Sequence, residues 1–169
     1  MFKRRARGGE RKDPSQEATY GSLRSLALHA AESGELPAPS AEHPDVAGVV
    51  VDVPASSGTA TLVALTDDTT SLYTSTGGGT IGAGQHATVA GATHALLVAV
   101  HQHLDAFTDA DDDALPTSGS VRFHVLSEGG RRMVDVPEDA FWGRANHPLL
   151  PVIAATQRLI AAVRQAGPA

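Results

Sequence analysis

Residues 46–75 read VAGVVVDVPASSGTATLVALTDDTTSLYTS. Val46–Val53 is β-branched and almost continuous, the pattern of a well-buried strand. Residues 54–58 (PASSG) carry turn chemistry, and Thr59–Leu65 forms a second strand. Asp67-Asp68 makes a tight turn into a third strand, Thr70–Ser75. Turns this short join antiparallel neighbours. The block therefore predicts a meander, not a series of βαβ units.

Downstream, residues 77–84 (GGGTIGAG) separate the meander from a long predicted helix over 85–107. Val89, Thr93, Leu96, Leu97, Val100, Leu104 and Phe107 share one helical face. The acidic stretch 108–120 reads as a solvated loop. Val121–Ser127 and Arg131–Val136 flank Glu128-Gly129-Gly130 as a hairpin. Asn146 is the predicted cap of a last helix, with Ile153, Thr156, Leu159, Ile160 and Val163 as its apolar stripe.

Upstream, Asp13-Pro14-Ser15-Gln16 has the chemistry of a helix start and Gly34 that of a stop. Residues 35–44 hold three prolines and read as a linker. The expectation is a single α+β domain over 13–166: a five-stranded, mainly antiparallel sheet with helices packed on it, in the order α-βββ-α-ββ-α. At the level of element order this resembles the roadblock, longin and profilin-like modules. Those commonly place two strands before the central helix and three after; here the count is three and two.

The chain has 169 residues and a formal charge of −6, unevenly spread. Residues 1–12 hold six bases and one acid, a balance of +5, and the remainder holds seven bases and eighteen acids, a balance of −11. An acidic body excludes a broadly basic nucleic-acid domain, leaving nucleic acid to the predicted disordered leader alone. That leader precedes no apolar run, and no segment reaches the ~18 apolar residues of a membrane span, so a cytoplasmic protein is expected. With no cysteine, disulfides, zinc–thiolate sites and cysteine nucleophiles are excluded.

Candidate chemistry is sparse. Gly77-x-Gly79-x-x-Gly82 matches the dinucleotide fingerprint and precedes a helix, where backbone N–H groups can cradle an anion. The preceding strand sits in an antiparallel hairpin, and Asp105, at the ribose-acid spacing, falls in the helix, which argues against a Rossmann site. Tyr73, Gly77, Gly78, Gly79, Gly82 and His86 are the candidate ligand or anion loop. Asp109, Asp111 and Asp113 start like a calcium loop, but Ala114 and Ser120 stand where Gly and Glu are required. His94 and His101 are two turns apart, ~10.5 Å of rise, too far to share one metal ion. No metal and no cofactor is predicted, and no nucleophile motif is present. Phe141 and Trp142, just before Gly143, are the candidate interface.

Three stretches together resemble an uncharacterised family of small bacterial α/β domains: Gly58–Leu65, Thr70–Gly84 (TSLYTSTGGGTIGAG) and His147–Pro151 (HPLLP) with Gln157. The resemblance spans roughly 45–164 and implies a small bacterial protein, with no activity, cofactor or catalytic residue to carry over. The reading that follows is a non-enzymatic protein-interaction or scaffold module that self-associates, as a homodimer. The alternative is a small-ligand or anion-binding protein, an enzyme among the options, using the glycine-rich loop 77–86.

Overall fold

The computed structural model describes residues 13–167. The basic leader and the last two residues lie outside that range. The first helix, α1 (Pro14–Leu28), starts where Asp13 accepts the Ser15 N–H at 2.9 Å. A short α2 (Ala30–Ser33) follows and closes on Gly34 at φ +76°. The meander comprises β1 (Gly48–Ala55), β2 (Gly58–Leu65), β3 (Thr70–Thr74) and β4 (Gly79–Thr80). Helix α3 (Ala87–His101) leads to β5 (Thr108–Asp109), β6 (Ser120–Ser127) and β7 (Gly130–Pro137). The chain ends in α4 (Glu138–Phe141) and α5 (Leu150–Ala166).

The antiparallel sheet and the α+β class agree with the expectation, but the sheet has seven strands, not five, in the order β4-β3-β2-β1-β6-β7-β5. The element order differs correspondingly, with β4, β5, α2 and α4 inserted. Both additional strands are two-residue edges. Gly77 and Gly78, at φ +94° and +86°, fold the chain back so that Gly79 pairs with Tyr73. At the other edge α3 stops at His101, not at residue 107, because His103 turns its Nδ1 onto the Ala99 carbonyl at 2.7 Å. That bond satisfies a carbonyl at the helix end. The freed chain reaches β7, where Thr108 pairs with Met133. Each edge strand covers only part of its neighbour, Leu72–Tyr73 of β3 and Arg132–Met133 of β7.

Asn146 does not cap α5. The helix begins at Leu150, and the His147 ring accepts the Leu149 N–H at 3.1 Å, one turn later than the Asn pattern suggests.

Alternation along β1 sends Val49, Val51 and Val53 to one face of the sheet and Val50 and Asp52 to the other. On the first face they join Leu62, Phe123 and the apolar stripes of α3 and α5, including Leu96, Val100, Ile153 and Leu159. On the second, Val50, Val63 and Leu126 meet Tyr20 and Leu28 of α1. The sheet is therefore sandwiched, with β1 at its centre.

Candidate functional site

The predicted interface pair splits. Phe141 has no exposed surface; its ring centroid lies 6.3 Å from that of Phe123, and its carbonyl accepts from the Gln157 side-chain amide. Phe141 is thus part of the core. Trp142 is 45% exposed, stands edge-on to Phe141 at 5.0 Å, and donates from Nε1 to Glu138 Oε1 at 3.3 Å. Gly143 at φ +75° ends the turn immediately after it. Trp142 thus rests on a fixed aromatic base while presenting its own ring to solvent. It forms one wall of a groove of about 400 Å³ that is also lined by Val53, Pro54, Leu72, Ile160 and Arg164. The groove lies between the β1–β2 end of the sheet and α5.

The glycine-rich residues form a hairpin, not a loop leading directly into a helix. The Gly77 N–H donates to Thr74 O at 3.1 Å, and the Thr74 N–H donates to Gly78 O at 3.1 Å. Thr74 Oγ1 donates to Gly77 O at 2.8 Å, and the Gly82 N–H reaches Ser71 Oγ at 3.4 Å. Gly79 has a steric reason as well: a Cβ there would lie 2.4 Å from the Leu72 carbonyl oxygen, at φ +144°. A 3₁₀ turn at Ala83–Gln85 then precedes α3.

Tyr73, Gly77, Gly78 and Gly79 come together, lining a cavity of about 320 Å³ against the first half of α1. Gly82 and His86 do not share that lining. His86 is the exposed residue at the start of α3, and its side chain makes no capping bond. Tyr73 stacks edge-on with Tyr20 at 5.7 Å, and its hydroxyl is buried without a hydrogen-bond partner. Burial raises the pKa of that phenol well above its usual value.

Beneath this cavity runs a buried polar chain that motif reading missed. Tyr20 OH and Thr61 Oγ1 are 2.7 Å apart, and Thr61 donates to Asp52 Oδ1 at 2.7 Å. Arg24 grips the same carboxylate with Nε at 3.1 Å and Nη2 at 2.7 Å. Burial disfavours the Arg24 charge, but its hydrogen bonds to Asp52 and the attraction of the Asp52 charge together outweigh burial and hold the pKa above its usual value. Arg24 Nη1 also donates to the Asp113 carbonyl at 2.6 Å.

Three arginines in fact tie down part of the acidic stretch that reads as solvated. Arg131 bonds the Asp112 carbonyl and Asp113 Oδ1, both at 2.7 Å, and Arg122 bonds the Ala114 carbonyl at 2.8 Å. Arg122 also makes a two-pronged pair with Asp135 at 2.8 and 2.9 Å. His29 bridges Asp113 at 2.6 Å and Glu32, and those two acceptors, Asp113 first, raise its pKa. His124 is fully buried 3.8 Å from Asp52 Oδ2, with neither ring nitrogen hydrogen-bonded. Burial lowers its pKa to about 4 against the pull of Asp52, so it is neutral near pH 7.

One sequence signal marked this chain: an Asp inside a run of valines, a residue type rarely buried without a partner. The partner itself, 28 positions upstream, carries no local mark. The α3 histidines face acidic residues that precede β1, His94 with Glu42 at 2.8 Å and His101 with Asp45 at 3.8 Å. Among the described residues no three His, Asp or Glu side chains converge to hold a metal ion, and no helix is long and apolar enough to cross a membrane. No protein-family model matches the chain, and no curated protein or solved structure does either.

Proposed function

We propose that this protein is a non-enzymatic interaction module that pairs with a second copy of itself through the Trp142 face. One observation carries the reading: a tryptophan 45% exposed, held on a buried phenylalanine, beside an apolar groove. Exposed tryptophans on a rigid base are frequent anchors of association, because little rotamer freedom is lost on contact. Trp142 lines the groove, so a two-fold arrangement brings the indole and the groove of one copy against those of the other.

The test is sedimentation velocity across a concentration series. A reversible monomer–dimer equilibrium is expected, weakened about 30-fold by Trp142→Ala, the loss of one hot spot of about 2 kcal/mol. A strict monomer at every concentration, or a dimer indifferent to Trp142→Ala, would overturn the proposal.

A further inference from the structure

The cavity between α1 and the β3–β4 hairpin is separate from the Trp142 face, and its chemistry is specific. Its walls are the rings of Tyr20 and Tyr73 with Leu23 and Ile81. Its polar lining comes from Ser15, Gln16, Thr19 and Thr74, and no charged side chain among the described residues lines it. The volume, about 320 Å³, falls at the lower end of the range for small-molecule sites.

The three hydroxyls already have their hydrogens engaged. Ser15 Oγ donates to Asp13 Oδ1 at 2.8 Å, Thr19 Oγ1 to Ser15 O at 2.9 Å, and Thr74 Oγ1 to Gly77 O at 2.8 Å. A hydroxyl has one hydrogen and two lone pairs, so these three present acceptors to the cavity. The Gly77 N–H is engaged too, going to Thr74 O. An anion would meet these lone pairs, the Gln16 amide and no cation among the described residues. A cation would meet no carboxylate among the lining residues. A neutral aromatic molecule with an N–H or O–H group meets ring faces and acceptors. The Tyr73 hydroxyl is buried and has no hydrogen-bond partner.

The hairpin is built to keep this space. Gln16 lies so close to Gly77 that a Cβ there would fall 2.4 Å from Gln16 Oε1, and Gly79 tolerates no Cβ against Leu72 and Tyr73. A Cβ at Gly78 would meet nothing within 4 Å. Two glycines thus hold the tip tight against α1 and Tyr73, beside the open volume.

We infer that the cavity walled by Tyr20, Tyr73 and the Gly77–Gly79 hairpin binds an uncharged aromatic ligand through an N–H or O–H donor. Indole serves as the probe, followed by amide chemical shifts in the full chain. Shifts are expected to saturate at Thr19, Tyr73 and Gly77–Gly79, with a Kd on the order of 1 mM for so small a probe. N-methylindole, which keeps the ring and loses the donor, is expected to bind about 3- to 10-fold more weakly, and indole-3-carboxylate at least as poorly. Thr19→Trp fills the cavity from the exposed side of α1 and is expected to abolish the shifts. Thr19→Val, which keeps the shape and removes an acceptor, narrows the gap between indole and N-methylindole. The inference is overturned by shifts that do not saturate at these amides, by N-methylindole or the carboxylate binding as well as indole, or by undiminished binding in a folded Thr19→Trp.

Discussion

The two faces of the sheet are buried by different means. The face under α3 and α5 is apolar throughout its centre, with Val49, Val51, Leu62 and Phe123 against Leu96, Leu97 and Leu159, all 1% exposed or less. The face under α1 is stitched by Asp52, Arg24, Thr61 and Tyr20, with His124 and Arg122 alongside, all buried. The apolar face gains mainly from area removed from water, with the Thr70–Thr93 hydroxyl pair at 2.7 Å as a buried polar contact between sheet and α3. The stitched face needs each partner in place, because a buried charge left alone is costly. One face thus tolerates repacking, whereas the other links three elements distant in sequence: α1, β1 and the strap at residues 112–114.

The sharpest way to break this contrast is Asp52→Ala. It leaves the Arg24 guanidinium and the Thr61 hydroxyl without their common acceptor, and a loss of about 3–5 kcal/mol in urea unfolding is expected. Replacing both partners, Arg24→Met with Asp52→Leu, is expected to recover most of it, since an apolar pair of similar size removes the desolvation cost. Recovery of nothing would mean that the pair specifies the placement of α1 and does not merely fill it. On the other face Leu159→Ala is expected to cost about 2–5 kcal/mol, and Leu159→Met, which conserves volume, below about 1.5 kcal/mol.

A smaller effect separates the faces by pH. His124 has a folded pKa lowered to about 4 from 6.5, so the unfolded chain takes up its proton first as the solution is acidified. Its contribution is therefore complete above pH 6.5 and is withdrawn as pH falls toward 4, by about 2–3 kcal/mol. Thermal melts of His124→Phe should show a shallower acid slope over that interval. His29 acts in the opposite direction and more weakly. Its folded pKa is raised by Asp113 and Glu32, so its contribution is present below pH 6.5 and lost as pH climbs through the raised value. Being 37% exposed in its side chain, it should contribute little, and His29→Gln should remove only a slight alkaline softening.

The same contrast governs how much the sequence disclosed. β-branched runs joined by short turns and the helical stripes of α3 and α5 are local signals, and they led to the antiparallel sheet and most of its apolar core. The two edge strands were not legible, since each is two residues long and exists only because a neighbour is there to pair with. The α3 terminus depended on a His103 bond to a carbonyl four residues back, which no helix-stop signal announces. The stitched face was hidden for a stronger reason: Arg24 and Asp52 lie on different elements, and Arg24 looks in sequence like any surface arginine on a helix. At the candidate sites, Trp142 and the Tyr73–glycine cluster were identified by residue type. That Phe141 points inward, and that Ser15, Gln16 and Thr19 complete the cavity, follows only from how α1 and α5 lie on the sheet.

Each face also has its own outward surface. The apolar side of the sandwich ends in the Trp142 groove, and the stitched side ends in the hairpin cavity. Self-association through the first is the central functional claim. Sedimentation equilibrium of the wild-type chain beside Trp142→Ala and Thr19→Trp addresses it most directly. A concentration-dependent dimer is expected that Trp142→Ala dissociates and Thr19→Trp leaves intact. A wild-type chain that stays monomeric, or a dimer lost with Thr19→Trp and kept with Trp142→Ala, would contradict it.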